Sequence, residues 1–287
     1  MRKEDIENQE HRYLNRSLWA NLQSLKSTVS FMQTGAHPDD ETSRLLAKLS
    51  LDEGYYVSYV NAVRGQGGQN SIGPERDDNL GALRTYELLK AMSVLRVDVG
   101  WLANSRNNSI VDFGLSKSAE ETFEFWDKKY TIKRMIRMVR AYKPDIIIPT
   151  FLDVDGQHGH HRAVTRATIE AYDKSNDPEM FPDDDFGPWK ISQIFLPAWS
   201  GGGGSYDDEE DPPKATHSID VGNFNHIYGG TYNQIGEWSR SYHATQNIGK
   251  LAHEDNIDVP LHLLKGKYVD GDITGGVIPK NFLELSN

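Results

Sequence analysis

The chain has 287 residues, 37% of them apolar and 25% charged, and that balance excludes a disordered, collagen-like or disulfide-built protein. A net charge of -11 argues against a broad nucleic-acid surface, and the absence of cysteine removes disulfides, thiolate metal sites and a cysteine nucleophile together. Apolar runs are too short to span a bilayer. The polar start, Met1–Glu10, carries no apolar leader segment, so the sequence reads as cytoplasmic.

In chain order, Leu14, Leu18, Leu22 and Leu25 mark one face of a helix over about 12–26. A buried strand is predicted over 28–36, a helix over 41–53 stopped at Gly54, and a Val- and Tyr-rich strand over 55–63. A glycine-rich loop at 64–74 leads into a helix over 75–93, with Leu80, Leu83, Tyr86, Leu88 and Leu89 as its apolar stripe. A short strand at 99–103, helix in two pieces over 120–142, a continuous apolar strand at 145–151, a helix at 160–172 and a strand at 191–199 follow. Strands separated by helices predict βαβ units and a mostly parallel sheet. The acidic stretches 183–185 and 201–213 read as exposed loops. A helix is expected over 231–246, closing a single domain at about 1–250, with an irregular segment over 251–287.

Chemistry concentrates at two predicted strand ends. The first is Ala36-His37-Pro38-Asp39-Asp40-Glu41, where a buried strand meets a helix. Open parallel sheets place their sites in the crevice beyond such ends. His37 and Asp40, three residues apart, can converge in the tight turn, and imidazole with carboxylate suits Zn²⁺ and related divalent ions. Asp39 points elsewhere, near enough to touch a metal-bound water. A helix cap is the plain alternative for these acids. The second cluster is His158-Gly159-His160-His161, again after a strong strand and opening a helix. One of these histidines would complete three protein ligands with an open position, the arrangement of catalytic zinc.

Other templates fail. His-Glu-x-x-His and the Gly-x-Ser-x-Gly elbow are absent, and the loop 65–70 has Asn70 where a dinucleotide fingerprint needs its third glycine. Arg64 and Asn70 in that loop are candidates to bind sugar hydroxyls, with ordinary turn chemistry an equal alternative. His243 is a further candidate for the substrate, reaching the site from the late helix, with a surface position an equal alternative. Trp126, Trp189, Trp199, Tyr232 and Trp238 are candidates to stack on a pyranose ring, with core or interface packing the commoner reading for most of them.

The first cluster, together with Arg64–Asn70, Gly73-Pro74-Glu75, Leu83–Leu88, Asp112-Phe113-Gly114, His158–His161 and Ser239–Gln246, resembles the LmbE-like, or GlcNAc-PI de-N-acetylase-like, metal-dependent N-deacetylases in their longer form. The motifs run in order over about residues 12–250. The resemblance implies an α/β, Rossmann-like three-layer sandwich. It also implies His37, Asp40 and His161 as metal ligands, Asp39 as general base, and His158 as the residue assisting at the reacting carbonyl. Arg84 is implied at the substrate or in support of the site. His160 stands where shorter members have aspartate, which makes it a residue behind the ligands.

The expected activity is Zn²⁺-dependent removal of acetate from a small N-acetylated amino sugar or GlcNAc conjugate, with a protonated His158 helping to stabilise the oxyanion. The rivals are an amidase acting on a larger acyl group or thiol conjugate, and a metal-containing sugar-binding module. The expected partner is the small sugar substrate, with no nucleic acid and no membrane span. A homo-oligomer stays open.

Overall fold

The computed structural model describes residues 18–104, 108–203, 206–249 and 257–276. β1 (Ser30–Gly35) leads to α1 (Ser43–Leu51), β2 (Tyr56–Asn61), α2 (Asp77–Leu95) and β3 (Asp98–Trp101). Then come α3 (Ala119–Trp126), α4 (Lys128–Tyr142), β4 (Ile146–Pro149), α5 (Gly159–Lys174) and β5 (Gln193–Pro197). The five strands are parallel, in the order β3-β2-β1-β4-β5. The order reverses between β1 and β4, and those two strands carry the two His/Asp clusters at their carboxyl ends. An open sheet forms its binding crevice at such a switch point.

Both sheet faces are covered, which is why the central strands read as unbroken apolar runs. Phe31, Ile146 and Ile148 join Leu45, Leu49, Leu88 and Met92 on one side. Met32 and Ile147 join Trp126, Ile136, Val139 and Val164 on the other. Each fully buried side chain of this size contributes about 1.5–3 kcal/mol of transfer free energy. The expected three-layer α/β sandwich is the architecture observed.

The helix predicted over 120–142 is two helices. Asp127, at φ 59°, breaks the first and caps the second by accepting from the Tyr130 N–H at 3.2 Å.

β5 leads to the short pair β6 (Gly202–Gly203) and β7 (Tyr206–Asp207), then β8 (His217–Asp220) and the short pair β9 (Phe224–Asn225) and β10 (Gly230–Thr231). α6 (Tyr232–Arg240) has a full capping box between Thr231 and Gln234, and packs on the α1 and α2 side. It ends at Arg240, short of the predicted 246, and His243 precedes a separate turn of 3-10 helix at Ala244–Gln246.

Three expectations differ from the structure. Residues beyond 250 are not wholly irregular: β11 (Asp258–Lys265) lies antiparallel between β5 and β8 in the main sheet, burying Val259 and Leu261. Pro260 lies within that run, although proline counts against a strand interior. In α2, Leu83, Tyr86 and Leu89 are exposed, while Arg84 and Glu87 face inward with Leu80 and Leu88. Near the N-terminus, residues 18–24 are helical, but Leu18, Leu22 and Leu25 face out and Ala20 is buried. Leu14 lies outside the described residues.

Candidate active site

The loop after β1 folds around the Asp40 carboxylate. Its Oδ2 accepts the Ala36 N–H at 2.9 Å and the His37 N–H at 2.8 Å, which fixes the acid before any ligand arrives. The same oxygen lies 3.3 Å from His161 Nε2 and 3.7 Å from His37 Nδ1, and those two nitrogens are 3.2 Å apart. Donors placed tetrahedrally about 2.0–2.1 Å from one zinc ion are separated by about 3.3 Å. Three atoms from two distant segments therefore meet at the spacing a single divalent ion requires. Burial opposes charge on Asp40, but the flanking His161 and His37 rings hold its carboxyl well below the usual range. Burial likewise works against His37, and hydrogen bonding to Asp40 outweighs it, so that ring titrates above its ordinary value.

The second cluster sits at the start of α5, beyond β4. Gly159 permits this start to come close to the neighbouring 116–118 segment, because a Cβ there would lie 2.2 Å from Ser116 Oγ. His161 Nδ1 is 2.7 Å from Gln157 Oε1. The amide oxygen can only accept, so Nδ1 carries the proton and Nε2 keeps its lone pair toward Asp40 and His37. Gln157 is itself oriented by donating from Nε2 to Asp208 at 2.7 Å. Asp208 belongs to the acidic stretch read as a solvated loop, and the structure gives it this orienting contact.

His158 caps α5: its Nδ1 accepts the His160 backbone N–H at 3.1 Å, which leaves the ring proton on Nε2. Burial, reinforced by the His37 and His161 rings, pushes its pKa down to about 3. With Nδ1 engaged in this way, the donor the ring presents to its surroundings is Nε2.

Asp39 stands apart from the three converging atoms. Its backbone is at φ 102°, a conformation costly for a residue with a Cβ. Three neighbours hold it there. Glu41 Oε2 accepts the Asp39 N–H at 3.1 Å, Arg240 Nη1 donates to the Asp39 carbonyl at 3.2 Å, and Arg84 Nη2 donates to the Pro38 carbonyl at 2.6 Å and to Asp39 Oδ1 at 2.7 Å. Burial pushes the Asp39 carboxyl up, against the Arg84 charge that favours ionisation. The glycines of the loop after β2 make room for that guanidinium: a Cβ on Gly68 would lie 2.5 Å from Arg84 Nη1, and one on Gly65 2.4 Å.

A cavity of about 370 Å³ joins these parts. His37, Asp39, Asp40, Arg84, His158 and His161 line it, and Gly67, Gly68, Gln69 and Tyr206 are among the rest of its wall. Tyr206 was hidden from the sequence reading by the surrounding glycines and acids. Its ring stands edge-on to His161, with centroids 5.3 Å apart.

Three candidate sugar-binding residues lie elsewhere. Arg64 turns from the cavity, stacks on Trp101 at 4.1 Å and donates to Thr85 at 3.1 Å. Asn70 closes a turn, its Oδ1 accepting from the Ile72 and Gly73 N–H groups, each at 3.1 Å. His243 is fully buried, with Nε2 2.7 Å from Glu41 Oε1, and acts behind the loop. None of the five candidate stacking aromatics lines the cavity among the described residues. His160 lies under His37, its Nδ1 3.0 Å from His37 Nε2.

No described helix is long and apolar enough to cross a membrane. Residues 32–172 match the family model PIG-L, GlcNAc-PI de-N-acetylase. Among curated proteins the chain is similar to the 1D-myo-inositol 2-acetamido-2-deoxy-alpha-D-glucopyranoside deacetylase of Streptomyces scabiei, 30% identical over 178 residues, 56% of this chain and 53% of that protein. It is also similar to the mycothiol S-conjugate amidase of Streptomyces coelicolor, 27% identical over 175 residues, 55% of this chain and 57% of that protein. The chain thus spans little more than half the length of these relatives.

Among solved structures, the N,N'-diacetylchitobiose deacetylase of Pyrococcus horikoshii has a TM-score of 0.51 at 20% identity, over 76% of this chain and 70% of that one. The 4-carboxy-2-hydroxymuconate hydratase of Pseudomonas putida KT2440 has a TM-score of 0.56 at 14% identity, over 84% and 98%. These two likenesses speak for the fold alone, and the second shows that the fold also carries a different reaction. Over residues 32–172, which carry both histidine clusters, this chain matches the GlcNAc-PI de-N-acetylase, or PIG-L, family.

Proposed function

We propose that this protein is a Zn²⁺-dependent N-deacetylase that hydrolyses the acetamide of a small GlcNAc-bearing conjugate to a free amine and acetate. The observation that carries the reading is the meeting of His37 Nδ1, Asp40 Oδ2 and His161 Nε2 within 3.2–3.7 Å, beside an acid that is not one of the three. Those residues would hold the ion, and a divalent ion bound there supplies Lewis acidity and makes a water nucleophilic near neutral pH.

The remaining chemistry belongs to the chain. Asp39 takes the water's proton as the amide carbonyl is attacked, and its elevated pKa suits it to hold that proton. Asp39 then returns the proton to the departing amine nitrogen. His158 does not compete for that role, because its Nδ1 is occupied by the helix N–H and its neutral ring offers only a donor. That donor stabilises the developing oxyanion. Arg84 keeps Asp39 in place, and Tyr206 with Gly67, Gly68 and Gln69 shapes the space for the sugar.

The relatives' names include deacetylases of a GlcNAc–inositol and an amidase, so cleavage of a larger amide is the second reading. Acetate release from N-acetylglucosaminyl-inositol, run beside an acyl-chain series, separates the two. Activity that survives both chelation and Asp39→Asn removes both.

A further inference from the structure

We infer that His160 is a positioning residue that locks His37 in the one tautomer able to bind the ion through Nδ1. The inference rests on the metal-centre reading above. His37 has two faces in use. Nδ1 lies beside Asp40 and His161, and Nε2 lies 3.0 Å from His160 Nδ1. Ligation through Nδ1 needs a lone pair there, so the single proton of the neutral ring must sit on Nε2. That N–H has an acceptor only if His160 Nδ1 is bare, and His160 then carries its own proton on Nε2.

The far side of His160 makes no polar contact that would explain a histidine there. Its Nε2 is buried without a hydrogen-bond partner, under the rings of Phe113 and Trp126, at centroid distances of 4.5 and 4.8 Å. A buried polar group left unpaired is destabilising, so a site shaped for packing alone would favour an apolar side chain. The ring makes physical sense for its near nitrogen, which supplies an acceptor to His37.

The test compares His160→Leu, which removes the acceptor, with His160→Asn, whose Oδ1 can take the place of Nδ1. Zn²⁺ affinity is measured by chelator competition, and the His37 tautomer by long-range ¹⁵N–¹H correlation in the metal-free proteins, above the imidazole titrations. His160→Leu is expected to weaken Zn²⁺ binding about 10–100-fold, to leave the metal-free melting temperature undiminished and to mix the His37 tautomers. His160→Asn is expected to restore affinity to within a few-fold and to retain the Nε2–H form. Equal Zn²⁺ affinity in wild type and His160→Leu, or a metal-free wild type with His37 protonated on Nδ1, overturns the inference. The tautomer readout stands even if wild type binds no Zn²⁺, a result that would sink the metal-centre reading instead.

Discussion

Arg84 reaches Asp39 from α2 at 2.7 Å and with the same nitrogen grips the Pro38 carbonyl at 2.6 Å, while its other terminal nitrogen holds the Gly65 carbonyl at 3.1 Å. One planar group thus ties the acid, its strained backbone and the glycine loop together. Lysine has the charge without the fork. Arg84→Lys is expected to lower kcat about 10–100-fold while leaving Zn²⁺ content unchanged. Steady-state kinetics with metal analysis checks this, and a wild-type kcat would detach Arg84 from the positioning of Asp39.

Neighbouring acids should fail differently. Asp39→Asn is expected to keep its zinc and lose about 10²–10⁴-fold in kcat, the usual share of a general base. Asp40→Asn is expected to bind no zinc, and so to lack the thermal stabilisation expected of wild type with added metal, about 2.7 kcal/mol at a hundred times the dissociation constant. Metal content and melting curves with and without Zn²⁺ separate the two. Loss of zinc from Asp39→Asn would place that carboxylate among the ligands.

His161 offers a parallel case through Gln157 and Asp208. Gln157→Leu removes the acceptor for its Nδ1–H, and Asp208→Ala frees the amide to rotate. Both are expected to weaken Zn²⁺ binding, by about 10–100-fold for Gln157→Leu and by less for Asp208→Ala. Chelator competition reads this directly, and unchanged affinity in Gln157→Leu would refute it.

The buried pair His243–Glu41 predicts a pH-dependent stability. Burial disfavours charge on His243, but the Glu41 carboxylate at 2.7 Å overcomes this, with Asp39 adding to it and Arg240 opposing, so the ring titrates above its ordinary value. A histidine pKa raised by folding stabilises fully below its unfolded value, about 6.5, and that stabilisation is lost as pH rises through the folded value. Breaking such a pair costs about 3–5 kcal/mol. Wild type is therefore expected to melt well above His243→Gln near pH 6, with the gap narrowing toward pH 9. A gap that is flat or widens over that range contradicts the pairing.

The fold was largely legible because β1 and β4 are covered on both faces, and a continuous apolar run such as Ile146–Ile148 announces that state. His37, Asp39, Asp40 and the second histidine cluster were legible because reactive side chains at strand ends stand out against such runs. Periodicity failed where the inward face of α2 carries Arg84 and Glu87, since a charged residue that serves the site looks like a solvated one. Glu87 accepts from the Thr245 N–H and hydroxyl, at 2.8 and 2.6 Å, a contact 158 residues away that no local pattern encodes. Tyr206 and Asp208 were lost for the same reason: their surroundings are polar and glycine-rich, and only the fold brings them to His161.

The late position of β11 in the chain has a consequence for biosynthesis. Among the described residues, β8 joins the sheet only through β11, and β5 has its second neighbour only when β11 arrives. During translation, the histidine-bearing half can assemble while β5 still offers a raw border and β8 waits unattached. Such borders invite pairing with other chains. Nascent protein is thus most vulnerable in the interval before residues 258–265 leave the ribosome, a hazard that lies outside the reactive cavity altogether.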